Sequence, residues 1–299
     1  MSPTARALVA RIGNTPLLPL PSPRPGVRIL GKAEWFNPGG SVKDRPAWGI
    51  VREGLLQGRL EGRRLLDASS GNTAVAYAML GAAVGFGVTL CLPENVGRQR
   101  VASLEAYGAE LVFTDPMEGS DGAILKAREM AEREAERFWY ADQYGNPHNW
   151  RAHYESTALE IWRQTGGALT HFVAGLGTTG TLVGNGRRLR ELDPTIRVVG
   201  VEPAEVLHGI EGLKHLKTAL RPAIYDETVA HESLEVETEQ ARREAERLAR
   251  EAGVLVGASG GAAYTAALRL ARRTEAATIV VILPDGGARS AGQTGWGGL

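Results

Sequence analysis

The chain has five lysines, Lys32, Lys43, Lys126, Lys214 and Lys217, among 34 basic residues. Lys43 stands in NPGGSVKDR, behind Pro38, Gly39, Gly40 and Ser41 and ahead of Asp44 and Arg45. The spacing predicts a helix that begins near Ser41, with Lys43 one turn inside it. The positive end of a helix and an apolar setting both disfavour an ammonium. A lysine amine that sheds its proton can attack an aldehyde and form a Schiff base.

Three glycine loops offer anion sites. GLGTTGT, residues 175–181, follows a strand-like run and opens a helical one. Free N–H groups at a helix start bind anions, glycine admits close approach, and Thr178, Thr179 and Thr181 add hydroxyls. This phosphate cup lacks the lysine of a P-loop, so an NTP β/γ-phosphate is not favoured. The same residues also spell G-x-G-x-x-G in a βαβ unit, with Glu202 about 20 residues on, which is the dinucleotide fingerprint. From this segment alone NAD stays open. DASSGNTA, residues 67–74, again runs from strand to helix, and Ser69, Ser70, Asn72 and Thr73 around Gly71 can meet a carboxylate. The plain alternative is a capped helix with Asn72 or Thr73 as N-cap. VGASGGAA, residues 256–263, sets Ser259 before Gly260 and Gly261 at a third helix start, where an ordinary N-cap is equally open. No GxSxG elbow with a His/Asp set points to a serine hydrolase. One phosphate cup, one carboxylate loop and one activated lysine together suit pyridoxal 5′-phosphate (PLP) acting on an amino acid. NAD chemistry has no use for that lysine, so an NAD-dependent oxidoreductase becomes the remote alternative.

Those loops need strands and helices to hold them. Strand-like and helix-like runs alternate: VRILGKAEW and DRPAWGIVREGLLQG, RLLDAS and NTAVAYAMLGAAVG, VTLCLP and GRQRVASLEAYG, AELVFTD and SDGAILKAREMAEREAERF. THFVAG, TLVGNGRRLREL, IRVVGVEP, ETEQARREAERLAREAG, AAYTAALRLARRT and TIVVILPD follow. Repeated βα units predict an α/β protein with a mostly parallel sheet and helices on both faces. Turn formers in residues 141–154 mark a domain boundary, and a strand near residues 28–35 that pairs with the later sheet would make the domains discontinuous.

The totals narrow the class. The 34 acidic residues balance the 34 basic ones, so total charge favours neither nucleic acid nor an anionic membrane. The single cysteine, Cys91, excludes an internal disulfide and reads as a small core residue; the histidines form no HExxH pair, so no metal is expected. Residues 73–93 carry no charge and match a membrane span in length, but their glycines and β-branched second half read as a buried helix, a turn and a strand. MSPTARALVARIGNTP has no signal-peptide core, and a cytoplasmic protein is expected.

The motifs NPGGSVKDR, SSGNT, GLGTTGTLVG and GASGGAA, in this order and spacing, with RIGNTPL near the start, resemble the β-family (fold type II) PLP enzymes over nearly the whole chain. Within that family the chain is similar to the cysteine synthases, or O-acetylserine sulfhydrylases. LPENVGRQRVASLEAYGAEL, QYGNP and LTHFVAGLGTTGT are similar to their B-type branch. The resemblance implies two domains, each an open, mostly parallel sheet with helices on both faces. A smaller mobile domain over residues 36–147 would carry the substrate-carboxylate loop, and a larger one over residues 1–35 plus 148–299 would bind the PLP phosphate.

The resemblance also implies site roles. Lys43 would hold the cofactor as an internal aldimine and later move the α-proton. Asn72 would bond the phenolic oxygen, Gly177, Thr178, Thr179, Gly180 and Thr181 the phosphate, and Ser259 the pyridine nitrogen. Ser69, Ser70, Gly71, Thr73 and Gln143 would bind the substrate carboxylate. A neutral hydroxyl does not hold the ring nitrogen protonated, which suits loss of a β leaving group over transamination. The implied reaction is a β-replacement through an α-aminoacrylate that makes L-cysteine from O-acetyl-L-serine or O-phospho-L-serine. The sulfur donor stays open among sulfide, thiosulfate and a thiocarboxylated carrier protein. Cystathionine β-synthase and serine/threonine dehydratase are alternatives within the family, and a homodimer is implied. Three departures stand out. Ser69 replaces the usual threonine, which keeps the hydroxyl. Gly260 replaces the usual second serine near the ring. LPDGGARSAGQTGWGGL lacks the tyrosine-containing end, so a tail covering the active site is expected to be absent. HGIEGLKHLKTALRPAIYDE resembles enzymes that accept O-phosphoserine, which makes Lys214 a candidate for the substrate phosphate and a solvated surface lysine the plain alternative.

Overall fold

The computed structural model describes residues 1–289; residues 290–299, most of the segment expected to lack a covering tail, lie outside the described residues. The first elements are α1 (Pro3–Val9), β1 (Leu17–Leu20), β2 (Val27–Ala33), α2 (Asp44–Leu56), β3 (Arg64–Ala68), α3 (Asn72–Val84), β4 (Val88–Pro93) and α4 (Arg98–Ala106). Next come β5 (Glu110–Thr114), α5 (Gly119–Arg133), β6 (Phe138–Tyr140), α6 (His148–Ala152), a π-helical turn (His153–Thr157), α7 (Ala158–Thr165), β7 (His171–Gly175) and α8 (Gly180–Leu192). β8 (Arg197–Pro203), β9 (Glu232–Val236), α9 (Thr238–Ala252), α10 (Ala258–Arg273) and β10 (Ala277–Leu283) complete the order.

The chain divides into two units, Met1–Ile12 with Lys43–Asn149, and Gly13–Val42 with Trp150–Leu299. The breaks expected at residues 35/36 and 147/148 fall instead at 42/43 and 149/150, and residues 1–12 join the smaller unit. The reason is apolar: Leu8, Val9 and Ile12 of the α1 segment pack on the core that includes Val75, Tyr77 and Met79 of α3.

In the smaller unit four parallel strands run in the order β5-β4-β3-β6. β4, VTLCLP, is buried throughout, as a strand covered on both faces must be. The uncharged stretch folds as α3, a left-handed turn at Gly85 (φ 96°) and β4, and among the described residues no helix is long and apolar enough to cross a membrane. The long helix expected to reach Phe138 ends at Arg133, where Glu134 leaves helical dihedrals (φ −127°, ψ 45°). Phe138, Trp139 and Tyr140 then pair with Arg64, Leu65 and Leu66, so packing of a buried aromatic edge overrides helix propensity there.

The larger unit has a six-stranded sheet in the order β1-β2-β10-β7-β8-β9, with β1 antiparallel to β2 and the other pairs parallel. β2 pairs with β10 over Val27–Ala33, which brings the early strand into the later sheet. α9 buries Ala241, Ala245 and Leu248 and turns its charges outward. α10 approaches it so closely that a Cβ on Gly261 would lie 2.0 Å from the Ala241 carbonyl oxygen.

A buried polar network spans the sheet edge of this unit. The Lys32 ammonium, 0% exposed, donates to the Thr15 carbonyl (2.7 Å), Glu160 Oε2 (2.7 Å) and Gln164 Oε1 (3.0 Å). Glu160 Oε1 accepts the Asn14 N–H at 2.9 Å. Glu34, also fully buried, accepts from Thr15 Oγ1 (2.7 Å) and Asn37 Nδ2 (2.9 Å), and Asn37 Oδ1 accepts the Gly13 N–H (2.8 Å). Removing one member leaves the other charge buried and uncompensated. Lys32→Met is therefore expected to destabilise the protein by roughly 3–5 kcal/mol in equilibrium denaturation, while Lys32→Met with Glu160→Leu together recovers most of that loss.

Candidate active site

The loops after β3 and β7 sit where a strand of their own unit gives way to a helix, the usual place for ligands in open α/β sheets, while the Ser259 loop joins α9 to α10. In the larger unit the approach to Lys43 is tied down step by step. Gly40 takes φ 78° and its N–H reaches the Asn37 carbonyl at 2.8 Å. Ser41 bridges to Asp285 just past β10, and the Val42 N–H donates to the Pro284 carbonyl at 2.8 Å. Lys43 itself, half-buried, stands immediately before α2, not one turn inside it, and its carbonyl accepts the Ala47 N–H at 3.0 Å. The helix starts at Asp44 because the preceding residues are held by the β10 end, and the lysine keeps its place at the positive helix terminus.

The smaller unit carries the loop after β3. The helix cap expected at Asn72 or Thr73 is supplied by Ser69: Gly71 is the cap residue, and Ser69 Oγ accepts the Gly71 and Ala74 N–H groups, both at 3.2 Å. A hydroxyl that accepts twice keeps its proton for an outside acceptor. Thr73 is used differently. The Gln143 Nε2 donates to the Ala68 carbonyl (2.7 Å), which fixes the amide orientation, and Gln143 Oε1 then accepts the Thr73 hydroxyl proton (2.8 Å). Both ends of the Gln143 amide, expected on the substrate, are thus engaged inside the unit, and Gln143 is buried. The donors this loop presents are its N–H groups and the Ser69 and Ser70 hydroxyls.

Two buried titrating groups lie behind the loop. Asp67, the fourth residue of β3, is pushed up to about 7, chiefly by burial. The Cys91 thiol is pushed up to about 12 by burial and then by the Asp67 charge, which leaves it an inert core residue as expected.

In the larger unit the segment 175–181 joins β7 to α8. Gly177 admits no side chain, since a Cβ there would lie 2.1 Å from the Gly212 carbonyl oxygen. Thr179 is held left-handed at φ 69°, an uncommon state for a β-branched residue. Its Oγ1 is buried and makes no hydrogen bond to the protein. An orphaned hydroxyl in a backbone cradle at a helix start fits a phosphate oxyanion. Thr181 Oγ1 lies 3.3 Å from His153 Nε2, and His153 Nδ1 lies 3.0 Å from Thr157 Oγ1 in the π-helical turn. His153 had no motif to reveal it; a π turn often marks a functional position, and it is visible only in the fold.

Ser259 is the second residue of α10, buried, with Gly257 as the cap residue, so the plain N-cap alternative for Ser259 does not hold. At Gly260 a Cβ would meet the Val256 Cβ at 2.9 Å. Lys214 is 7% exposed, which excludes the solvated-lysine alternative, and its N–H donates to the Leu176 carbonyl of the cradle at 2.8 Å. A lysine, a carboxylate loop and a phosphate cradle are the donor set that PLP and an amino acid require.

Residues 9–285 match the family described as pyridoxal-phosphate dependent enzyme. The chain belongs to that family. It is 49% identical to the cysteine synthase of Aquifex aeolicus over 93% of this chain and 88% of that protein. It is 42% identical to cysteine synthase B of Pseudomonas aeruginosa, covering 93% of each. A crystal structure of cysteine synthase from Entamoeba histolytica superposes with TM-score 0.90 at 34% identity, over 96% of this chain and 89% of that one. Family membership makes PLP the cofactor and sets the dinucleotide reading of GLGTTG aside. The orphaned hydroxyl then yields a direct test: Thr179→Val, which keeps the β-branched shape, should weaken PLP binding about 10- to 100-fold, measured by cofactor titration of the dialysed protein.

Proposed function

We propose that this enzyme makes L-cysteine by β-replacement on O-acetyl-L-serine with sulfide. The observation that carries the reading is one chain holding a lysine at a helix start, a serine-rich carboxylate loop and an orphaned threonine hydroxyl in a glycine cradle. Gly177, Thr178, Thr179, Gly180 and Thr181 would hold the cofactor phosphate, Asn72 its phenolic oxygen and Ser259 its ring nitrogen. Lys43 would hold its aldehyde carbon. When bound, PLP supplies the electron sink for α-proton loss and departure of the β-acetoxy group.

The chain's own groups do the rest. Ser69 and Ser70, with the loop N–H groups that Ser69 Oγ does not take, bind and orient the substrate carboxylate, and Thr73 and Gln143 shape that loop from behind. The Lys43 amine, when free, would take the α-proton of the bound amino acid and return it to the same carbon at the end. The loop over the bound amino acid keeps water from competing with the sulfur nucleophile. The enzyme acts as a cytoplasmic homodimer. One observation favours a second acceptor, O-phospho-L-serine: Lys214 is buried and its backbone is bonded to the cradle at Leu176.

Borohydride reduction followed by peptide mapping is expected to place the pyridoxyl label on Lys43. Lys43→Ala should lose the visible cofactor band and lower turnover by roughly 10²–10⁴-fold or more. Labelling of a different lysine refutes the assignment. An assay crossing both acceptors with sulfide, thiosulfate and a thiocarboxylated protein fixes the substrates. Faster turnover of serine with homocysteine would favour a cystathionine synthase instead.

A further inference from the structure

Asp67 is the least expected residue in the smaller unit. It is fully buried in the central part of the four-stranded sheet, where every strand neighbour is apolar or small: Leu66 and Ala68 along β3 and Leu90 opposite on β4. An apolar side chain would pack there without the desolvation that a carboxylate suffers. The acid instead meets two backbone donors. Its Oδ1 accepts the Ala68 N–H at 2.8 Å and its Oδ2 accepts the Gln143 N–H at 3.1 Å.

Those two donors belong to the two segments that build the carboxylate loop. Ala68 is the last residue before Ser69, and its carbonyl accepts the Gln143 side chain. Gln143 also receives the Thr73 hydroxyl through Oε1 and the Asn149 side chain through its carbonyl (2.6 Å). One carboxylate therefore pins both ends of a closed set: Asp67 to Gln143, Gln143 to Thr73 and Ala68, Ala68 to Asp67. We propose that Asp67 is a positioning residue for amino-acid binding, which fixes the Gln143 segment and through it the Thr73 end of the carboxylate loop. The inference rests on the amino-acid-binding reading of residues 69–73.

Charge-assisted bonds weaken when the acid is protonated. Facing Asp67 are Tyr77 from α3, Cys91 from β4, Tyr140 from β6, and Asp142 and Tyr144 from the segment after β6, with Lys126 of α5 beside Cys91. Burial pushes the Cys91 thiol and the three phenols upward, out of the neutral range, and pushes Asp67 up to about 7, with the Asp142 charge adding to the rise and the two N–H groups opposing it. Asp67 thus gains its charge, and its grip on the two N–H groups, as pH rises through 7. Its stability contribution has the opposite sign. A carboxyl raised above its ordinary 3.8 favours the folded state most below that value, and the advantage is lost as pH rises from there to about 7. A positioning role and a merely structural one therefore part company: from pH 6 to pH 8 amino-acid affinity improves while the Asp67 share of stability falls.

The test uses the PLP-loaded enzyme with O-acetyl-L-serine and sulfide. Asp67→Asn leaves one of the two N–H groups facing a donor. It is expected to raise KM for O-acetyl-L-serine about tenfold or more at pH 8 with kcat within about threefold of wild type, and to raise it less at pH 6. Thermal denaturation over the same range should show the variant gaining on wild type as pH rises. An unchanged KM at pH 8, beside an active wild type, overturns the inference alone. A wild type inactive with O-acetyl-L-serine overturns the synthase reading and the inference with it. Should Asp67→Asn not fold, wild type decides by itself. L-lactate presents the α-carboxylate without a titrating amine, and its thermal shift on the holoenzyme should be larger at pH 8 than at pH 6. A shift equal at both, zero included, overturns the inference.

Discussion

The turn that leads up to Lys43 depends on a charge that never meets water. The Lys32 ammonium lies inside the larger unit with three acceptors, and Glu160 and Gln164 of α7 are two of them. Through Thr15, Glu34 and Asn37 the same network holds the GNTP segment and the turn that leads to Ser41 and Val42. An isolated buried ammonium costs several kcal/mol; the backbone and side-chain acceptors around it make that environment tolerable only in one arrangement. The turn before Lys43 is therefore specified by electrostatics inside the unit rather than by its glycines alone.

The other chemical elements follow a shared rule. Apart from Ser259, which follows α9, they sit at the carboxyl ends of parallel strands: Ser69 after β3, Leu176 after β7, Pro284 after β10. Parallel strands leave their end carbonyls and the next helix's N–H groups near one another, so side chains there can answer an anion with little rearrangement. Close backbone approach does the shaping. Gly177 against Gly212 makes the cradle, Gly184 against the Trp150 carbonyl (2.0 Å for a Cβ) seats α8 on the turn that carries His153, and Gly261 seats α10 on α9.

Much of this was legible in the chain. The βα alternation gave the strands around each loop, and the glycine-hydroxyl loops were found because anion binding requires those residue types. The strands missed were those whose apolar signal is short or interrupted, β1 with its proline, the three-residue β6 and the alternating edge strand β9, and the helices missed were α1, α6 and α7. The caps were misplaced for a different reason. Asn72 and Ser259 are good N-cap residues by type, but local bonds to Ser69 and tertiary ones to the β10 end set where the helices begin. Asp67 and His153 carry no sequence signature, because what distinguishes them is a partner far along the chain: Gln143 for the one and Thr181 for the other.

The narrow space at Gly260 is set from outside its own helix. Val256 precedes α10 and bridges to Gly286 beyond β10, and its branched carbon stands 2.9 Å from where a Cβ at 260 would lie. A side chain at 260 therefore requires Val256 to move, and Val256 is tied to the strand end by that bridge. The room available at the start of α10 is thus governed by the seam between a helix and a neighbouring strand rather than by the helix itself.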